Sequence, residues 1–205
     1  MSTAFISHPT CLRHDQGRGH PESAARLHAI EDQLLASGVL DHLQRHTAPA
    51  ATREQLLRVH SEAQLRWIER IFHDDPRVLL CSSFQHPFYP FSGADTGNAH
   101  IVPTPLAAYS GNEAMRDAVE TVWLPALRAF QPQILFISAG FDAHRDDDMA
   151  MLGWTDADYA WITTQLKAAA DKLCGGRIVS ALEGGYALDA LGRSATAHVR
   201  VLAGI

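Results

Sequence analysis

Short apolar runs separated by helical patterns are the main organising feature of this chain. The runs are bounded by polar or turn-forming residues, and their length predicts strands buried in a parallel sheet. The clear runs cover residues 3–7, 77–83, 133–139 and 177–182, and a weaker, half-buried candidate covers 42–48. The pattern therefore predicts four strands and one weaker candidate strand.

Helical spacing fills the intervals between these runs. Leu27, Ile30 and Leu34 share one helical face, Pro21 suits the first turn of that helix, and Gly38 suits its end. Other helices are predicted at the capping boxes 52–55 and 61–64 (the second opening a helix to 72), over 112–130 with a kink near Pro125, from Thr155 to Leu173, and over 187–202.

Strands and helices alternate, and no repeat, low-complexity tract or flexible linker interrupts them. This order predicts an α/β fold with one domain over residues 1–205. Its mostly parallel sheet is expected to carry helices on both faces.

Composition narrows the classes of partner. The chain has 205 residues, of which 46% are apolar and 20% charged, and its net charge is -6. With no basic stripe, no apolar run of membrane-spanning length and no signal-peptide pattern, we expect neither a nucleic-acid nor a membrane partner. The three cysteines are widely spaced and odd in number, which favours a reduced, cytoplasmic setting.

Chemistry-bearing residues follow two of the predicted strands. Asp142 comes just after the run 133–139, and Tyr186 follows the run 177–182 across Gly184 and Gly185. Carboxyl ends of parallel strands share one sheet edge, where ligands are commonly held. Asp142 is a candidate metal ligand, and Tyr186 is a candidate hydrogen-bond donor to an oxyanion. Two simpler alternatives stay open: Asp142 caps a turn, and Tyr186 only packs.

Four segments together carry a family resemblance. They are GHPESAARL (19–27), DDPRVLLCSSFQHPFYPFSG (74–93), AGFDAH (139–144) and LEGGY (182–186). In order and composition they resemble the histone deacetylase superfamily, which has the arginase/deacetylase fold. They are most similar to its bacterial class II-like and acetylpolyamine amidohydrolase branch.

The resemblance implies a zinc-dependent hydrolase of acetylated lysine or acetylated polyamine amides. By motif, Asp142 corresponds to a zinc ligand and Tyr186 to the tyrosine that polarises the acetyl carbonyl. The substrate channel corresponds to Phe88, Tyr89, Gly184 and Gly185. Ser82 and Ser83 correspond to part of a structural potassium site.

One block of the family pattern is missing from the sequence. No DVHHGNGT-type segment and no His-His pair occur, and the chain passes near 68–69 from the segment before that block to the segment after it. The fold is therefore predicted to be shortened by loss of a central segment. Because a hydrolytic zinc needs several protein ligands, we expect impaired or absent hydrolysis.

Three alternatives follow from the missing block. Histidines from other loops could rebuild a metal site, the candidates being His20, His86, His100 and His144. A second chain could complete the sheet in a homo-oligomer. The chain could also be a non-catalytic binding or assembly protein, or a decayed remnant.

Overall fold

The computed structural model describes residues 2–14, 16–17, 19–50, 72, 74–88 and 98–205. Its strands are β1 (Ala4–Ser7), β2 (Gln44–Thr47), β3 (Leu80–Gln85), β4 (Ile101–Leu106), β5 (Leu135–Ala139) and β6 (Ile178–Leu182). Its helices are α1 (Ala25–Ala36), α2 (Asn112–Asp117), α3 (Leu124–Phe130), α4 (Asp156–Cys174) and α5 (Leu188–Ala203). Two short 3-10 helices cover Pro9–Arg13 and Val39–His42.

All strand pairing in the described ranges is parallel, as predicted. β1 pairs with β2, β3 with β4, and β5 with β6. Among these described strands, no hydrogen-bonded ladder joins one pair to another. The parallel α/β fold is thus present as three two-stranded units.

β1 and β6 were predicted to be buried but are mostly exposed. Beyond shifts of one or two residues at their ends, the strands also differ from the prediction in two places. The strand predicted at 77–83 begins only at Leu80, because Asp75 accepts a hydrogen bond from the Arg77 backbone N–H and holds that residue in a turn. β4 was not predicted, because Pro103 and Pro105 are typical of loops. Both prolines sit at alternate positions of a strand bonded to β3, where a missing N–H on the other side costs no ladder bond.

The helix predictions are mostly confirmed. α1 ends before Gly38, whose φ of 69° closes the helix, but Pro21 precedes α1 by a full turn instead of lying within it. The predicted helix over 112–130 is interrupted by a π-helical turn (Ala118–Trp123) just before Pro125. The capping-box segments at 52–55 and 61–64, and the junction near 68–69, lie outside the described residues.

α5 packs between α1 and α4 and forms the centre of the described helical layer. Gly192 of α5 lies at its closest approach to α1, since a Cβ added there would sit 2.7 Å from the Ala29 carbonyl oxygen. Leu191 beside it is almost completely buried. This close crossing fixes α5 and, with it, the loop that precedes α5.

One face of the β5–β6 pair is bare. Phe136 and Val179 are direct register partners on that face, and they are 73% and 46% exposed. Leu135 and Ala139, on the opposite face of β5, are buried. A sheet with helices on both faces would cover both sets, so no covering layer for this face is found among the described residues.

Among the described residues, no helix is both long and apolar enough to cross a membrane.

Candidate active site

The two predicted loops meet at one end of the β5–β6 pair. Because the strands are parallel and Ala139 is the register partner of Leu182, the segments that follow β5 and β6 leave the pair side by side. The Phe141 N–H then donates to the Gly184 carbonyl at 3.0 Å, which ties the loop after β5 to the loop after β6. The prediction that both loops share one sheet edge is confirmed.

Asp142 lies directly against the glycines of the second loop. A Cβ added at Gly184 would come within 2.7 Å of the Asp142 Cγ, so only glycine leaves room for this carboxylate. Gly185 is needed for a different reason, since its φ is 118°. The two glycines of the motif therefore serve, respectively, a close approach and a turn.

The Asp142 carboxyl is half-buried, and its environment disfavours the charged form. Burial is the main cause that raises its pKa, and the nearby charge of Asp147 raises it further. A hydrogen bond from its own backbone N–H and the charge of Arg26 act in the opposite direction. A cation at this carboxylate would relieve the cost of its burial.

Arg26 connects α1 to the second loop. Its Nε donates to the Gly185 carbonyl at 2.6 Å, and its Nη2 donates to the Glu183 carbonyl. Its Nη1 pairs with Glu22 at 2.8 Å, and the guanidinium lies 5.0 Å from the centre of the Tyr186 ring. Arg26 belongs to the GHPESAARL segment. Its contact with the LEGGY segment could not be predicted, because the two segments lie far apart along the chain.

Tyr186 stands two residues before α5, close to the predicted position at the start of that helix. Its ring is half-buried, and burial is the main cause that raises the pKa of its phenol, with Asp142 adding to the effect. The phenol is thus protonated at neutral pH and can donate a hydrogen bond. Its role in polarising a carbonyl stays a prediction.

His144 is held away from a metal-binding role. Its Nδ1 accepts from the Asp146 backbone N–H at 3.1 Å, so the proton of the neutral ring lies on Nε2, which is 3.4 Å from Asp156 Oδ1. Asp156 also accepts from Ser194 of α5 at 2.6 Å. His144 therefore joins the loop after β5 to α4 and α5, and Asp142 is not among the partners of its ring nitrogens.

The other candidate histidines in the described ranges have local partners. His20 Nδ1 accepts from the Glu22 backbone N–H at 3.1 Å, and His100 Nε2 lies 3.2 Å from the Phe72 carbonyl oxygen. The His86 ring packs edge-on against Phe84. Nowhere in the described part of the chain do three His, Cys, Asp or Glu side chains form a group that could hold a metal ion. These residues do not fit a hydrolytic zinc site.

The remaining predicted site residues lie on and after β3. Among the described residues, Ser82 Oγ is buried and has no hydrogen-bond partner, which suits an oxygen that faces a cation, whereas Ser83 shows no comparable feature. A single such oxygen does not make a potassium shell. Phe88 is half-buried after the loop that follows β3, and Tyr89 lies outside the described residues. Within the described ranges, no ring contact joins Phe88 to Tyr186.

Comparison with known proteins relates this chain to one family. A sequence model of the histone deacetylase domain matches residues 67–202. Histone deacetylase 14, chloroplastic, of Arabidopsis thaliana is 37% identical over 139 residues, which are 65% of this chain and 33% of that protein. A probable deacetylase of Archaeoglobus fulgidus is 35% identical over 127 residues, which are 59% of this chain and 35% of that protein.

Solved structures agree on the fold. The HDA15 HD domain superimposes with a TM-score of 0.87 at 22% sequence identity, and the match covers 99% of this chain and 88% of that one. The chain spans about a third of the length of the first two relatives described above. The predicted bacterial branch within the family stays a prediction.

Proposed function

Because the chain belongs to the histone deacetylase family, we propose that it is a deacetylase-type protein for acetylated lysine or acetylated polyamines whose hydrolytic step is impaired. The observation that carries this proposal is the solitary position of Asp142. It borders the LEGGY loop as a deacetylase carboxylate would, yet in the described part of the chain no second and third donor accompany it. The described residues thus include groups for binding a carbonyl without a full set for metal binding.

The residues present account for binding better than for hydrolysis. The protonated phenol of Tyr186 can donate a hydrogen bond to an amide carbonyl, and Arg26 holds the loop that carries it. Hydrolysis also needs an activated water and a general base. In the described ranges His144 is committed to Asp146 and Asp156, so it supplies neither.

A non-catalytic binding or assembly protein is the second candidate function. It is favoured by the bare face of the β5–β6 pair, where Phe136 and Val179 are exposed. Such a face is typical of a surface that associates with another protein. We also propose a cytoplasmic location, on the three widely spaced cysteines, and no nucleic-acid or membrane partner, on the net charge of -6 and the lack of a basic stripe or a membrane-length apolar run. The apolar face is the ground for proposing self-association.

The test combines turnover with metal content. Hydrolysis of a fluorogenic acetyl-lysine peptide and of an acetylated polyamine is measured with and without added zinc, with Tyr186→Phe as the matched control. We expect no zinc-dependent turnover and no stoichiometric zinc in the purified protein. Zinc-dependent turnover that Tyr186→Phe removes would overturn the proposed impairment.

The variant Asp142→Asn distinguishes two hypotheses, one in which Asp142 is a carboxylate without a cation and one in which it is a metal ligand. Without a cation, the amide removes the cost of burying a charge, so the melting temperature of the variant should rise at neutral pH. If Asp142 holds zinc, the same substitution should lower both the melting temperature and the zinc content. Differential scanning fluorimetry and elemental analysis distinguish these two results.

A further inference from the structure

Asp147 is a buried carboxylate that the proposed function leaves without a role. It is 4% exposed, and its partners are backbone N–H groups. Its Oδ2 accepts from Tyr186 at 2.6 Å and from Ala187 at 2.9 Å, and its Oδ1 accepts from Met149 at 3.1 Å. Among the described residues it forms no ion pair with a Lys, Arg or His side chain.

These contacts place a negative charge at the start of α5. The N-cap residue of α5, Ala187, has no side chain that could accept a hydrogen bond, and Asp147, in the loop after β5, accepts from the backbone N–H of Ala187 itself. The positive end of the helix dipole stabilises the carboxylate there. The charge is therefore kept in a buried position by donors that all belong to the backbone.

The loop that carries Tyr186 is held from two sides. Arg26 binds the carbonyls of Glu183 and Gly185, while Asp147 binds the N–H groups of Tyr186 and Ala187. Consecutive peptide groups on both sides of the Tyr186 Cα are thus fixed. When the backbone N–H of a residue and that of the next residue are both hydrogen-bonded, the Cα–Cβ bond between them has little freedom to change direction.

We propose that Asp147 is a positioning residue for Tyr186, fixing the loop backbone so that the phenol stands beside Arg26 and Asp142. The inference rests on the proposed function, in which Tyr186 binds the acetyl carbonyl. In this proposal, the acidic stretch after AGFDAH helps to shape the site that contains Tyr186. Asp148, the next residue, is exposed and serves as the matched control position.

The test uses Asp147→Ala and Asp148→Ala in the full chain, with tyrosine labelled by 13C at Cζ. The chain has four tyrosines, and Tyr186→Phe assigns the relevant signal. We expect Asp147→Ala to move or broaden the Tyr186 signal and Asp148→Ala to leave it unchanged, with exposed Tyr109 as the internal reference. A helix-capping role alone would lower the melting temperature without moving the Tyr186 signal.

Amide hydrogen exchange gives the second measurement. Loss of a hydrogen bond to a charged acceptor should speed exchange of the Tyr186 and Ala187 amides about tenfold or more. If Asp147→Ala does not fold, hydrogen exchange of the wild-type chain is the test, because the proposal requires the Tyr186 and Ala187 amides to be protected from exchange there. Unprotected amides, or an unmoved Tyr186 signal in a folded Asp147→Ala, would overturn it. Neither measurement needs turnover, so an inactive chain does not affect the outcome.

Discussion

His198 makes the stability of this protein depend on pH in a way that can be calculated. It lies in α5, is 6% exposed, and links α4 to β6. Thr163 donates its hydroxyl hydrogen to the Tyr159 carbonyl, so His198 Nδ1–H donates to Thr163 Oγ1 (2.7 Å) and Nε2 accepts from Ser180 Oγ (2.9 Å). Burial lowers the pKa of the ring from 6.5 to about 4.

The sign follows from comparing the folded and unfolded chains. Between pH 6.5 and 4 the unfolded state takes up a proton that folded His198 refuses, so acid favours unfolding. The contribution is fully present above pH 6.5, falls through this window and levels off below it. A difference of this size corresponds to about 3 kcal/mol, or roughly 6–12 °C in melting temperature for a chain of this length.

Urea unfolding followed by circular dichroism at several pH values between 7 and 4 measures this effect. The wild type is compared with His198→Gln, which cannot gain the charge, and with His42→Gln, which removes an exposed histidine. Carboxylates titrate alike in all three proteins. We expect the stability advantage of the wild type over His198→Gln to shrink by about 3 kcal/mol on acidification. A parallel decline of both proteins would refute the reasoning.

Two further changes test the helix crossing and the bare strand face. Gly192→Ala should destabilise the fold by about 1–3 kcal/mol, because its Cβ would meet the Ala29 carbonyl oxygen at 2.7 Å; Gly111→Ala, where an added Cβ meets nothing within 4 Å, should be nearly neutral in a thermal melt. Phe136→Thr should reduce self-association in size-exclusion chromatography by removing a 73% exposed aromatic ring. A wild type that elutes as a monodisperse monomer would contradict this expectation.

The alternation of apolar runs and helical patterns was enough to predict most of the described elements. β1, β5, β6 and the helix that follows Thr155 follow from the local sequence alone, because apolar runs and an N-capping threonine are short-range signals. β4 escaped prediction because its prolines are compatible with a strand only on the side that faces away from β3. That compatibility depends on a neighbouring strand, which local spacing does not reveal.

The candidate site was likewise predicted only in part. The motifs located Asp142, Gly184 and Tyr186, and the parallel order of the strands placed their loops at one edge. The contacts of Arg26 and Asp147 with that loop could not be anticipated, because each joins residues far apart in the chain. An arginine and an aspartate in polar segments are typical of solvated positions until a backbone loop is found beside them.

The sequence by itself determined the family, the order of the strands and helices other than β4, and the identity of the residues after β5 and β6. It did so because apolar periodicity and short motifs are encoded within a few neighbouring positions. The tertiary structure alone decided that the strands pair as separate units within the described ranges, that Asp142 presses against Gly184, and that Asp147 and Arg26 hold the Tyr186 loop. Those features depend on distances between segments, which only the packed chain defines.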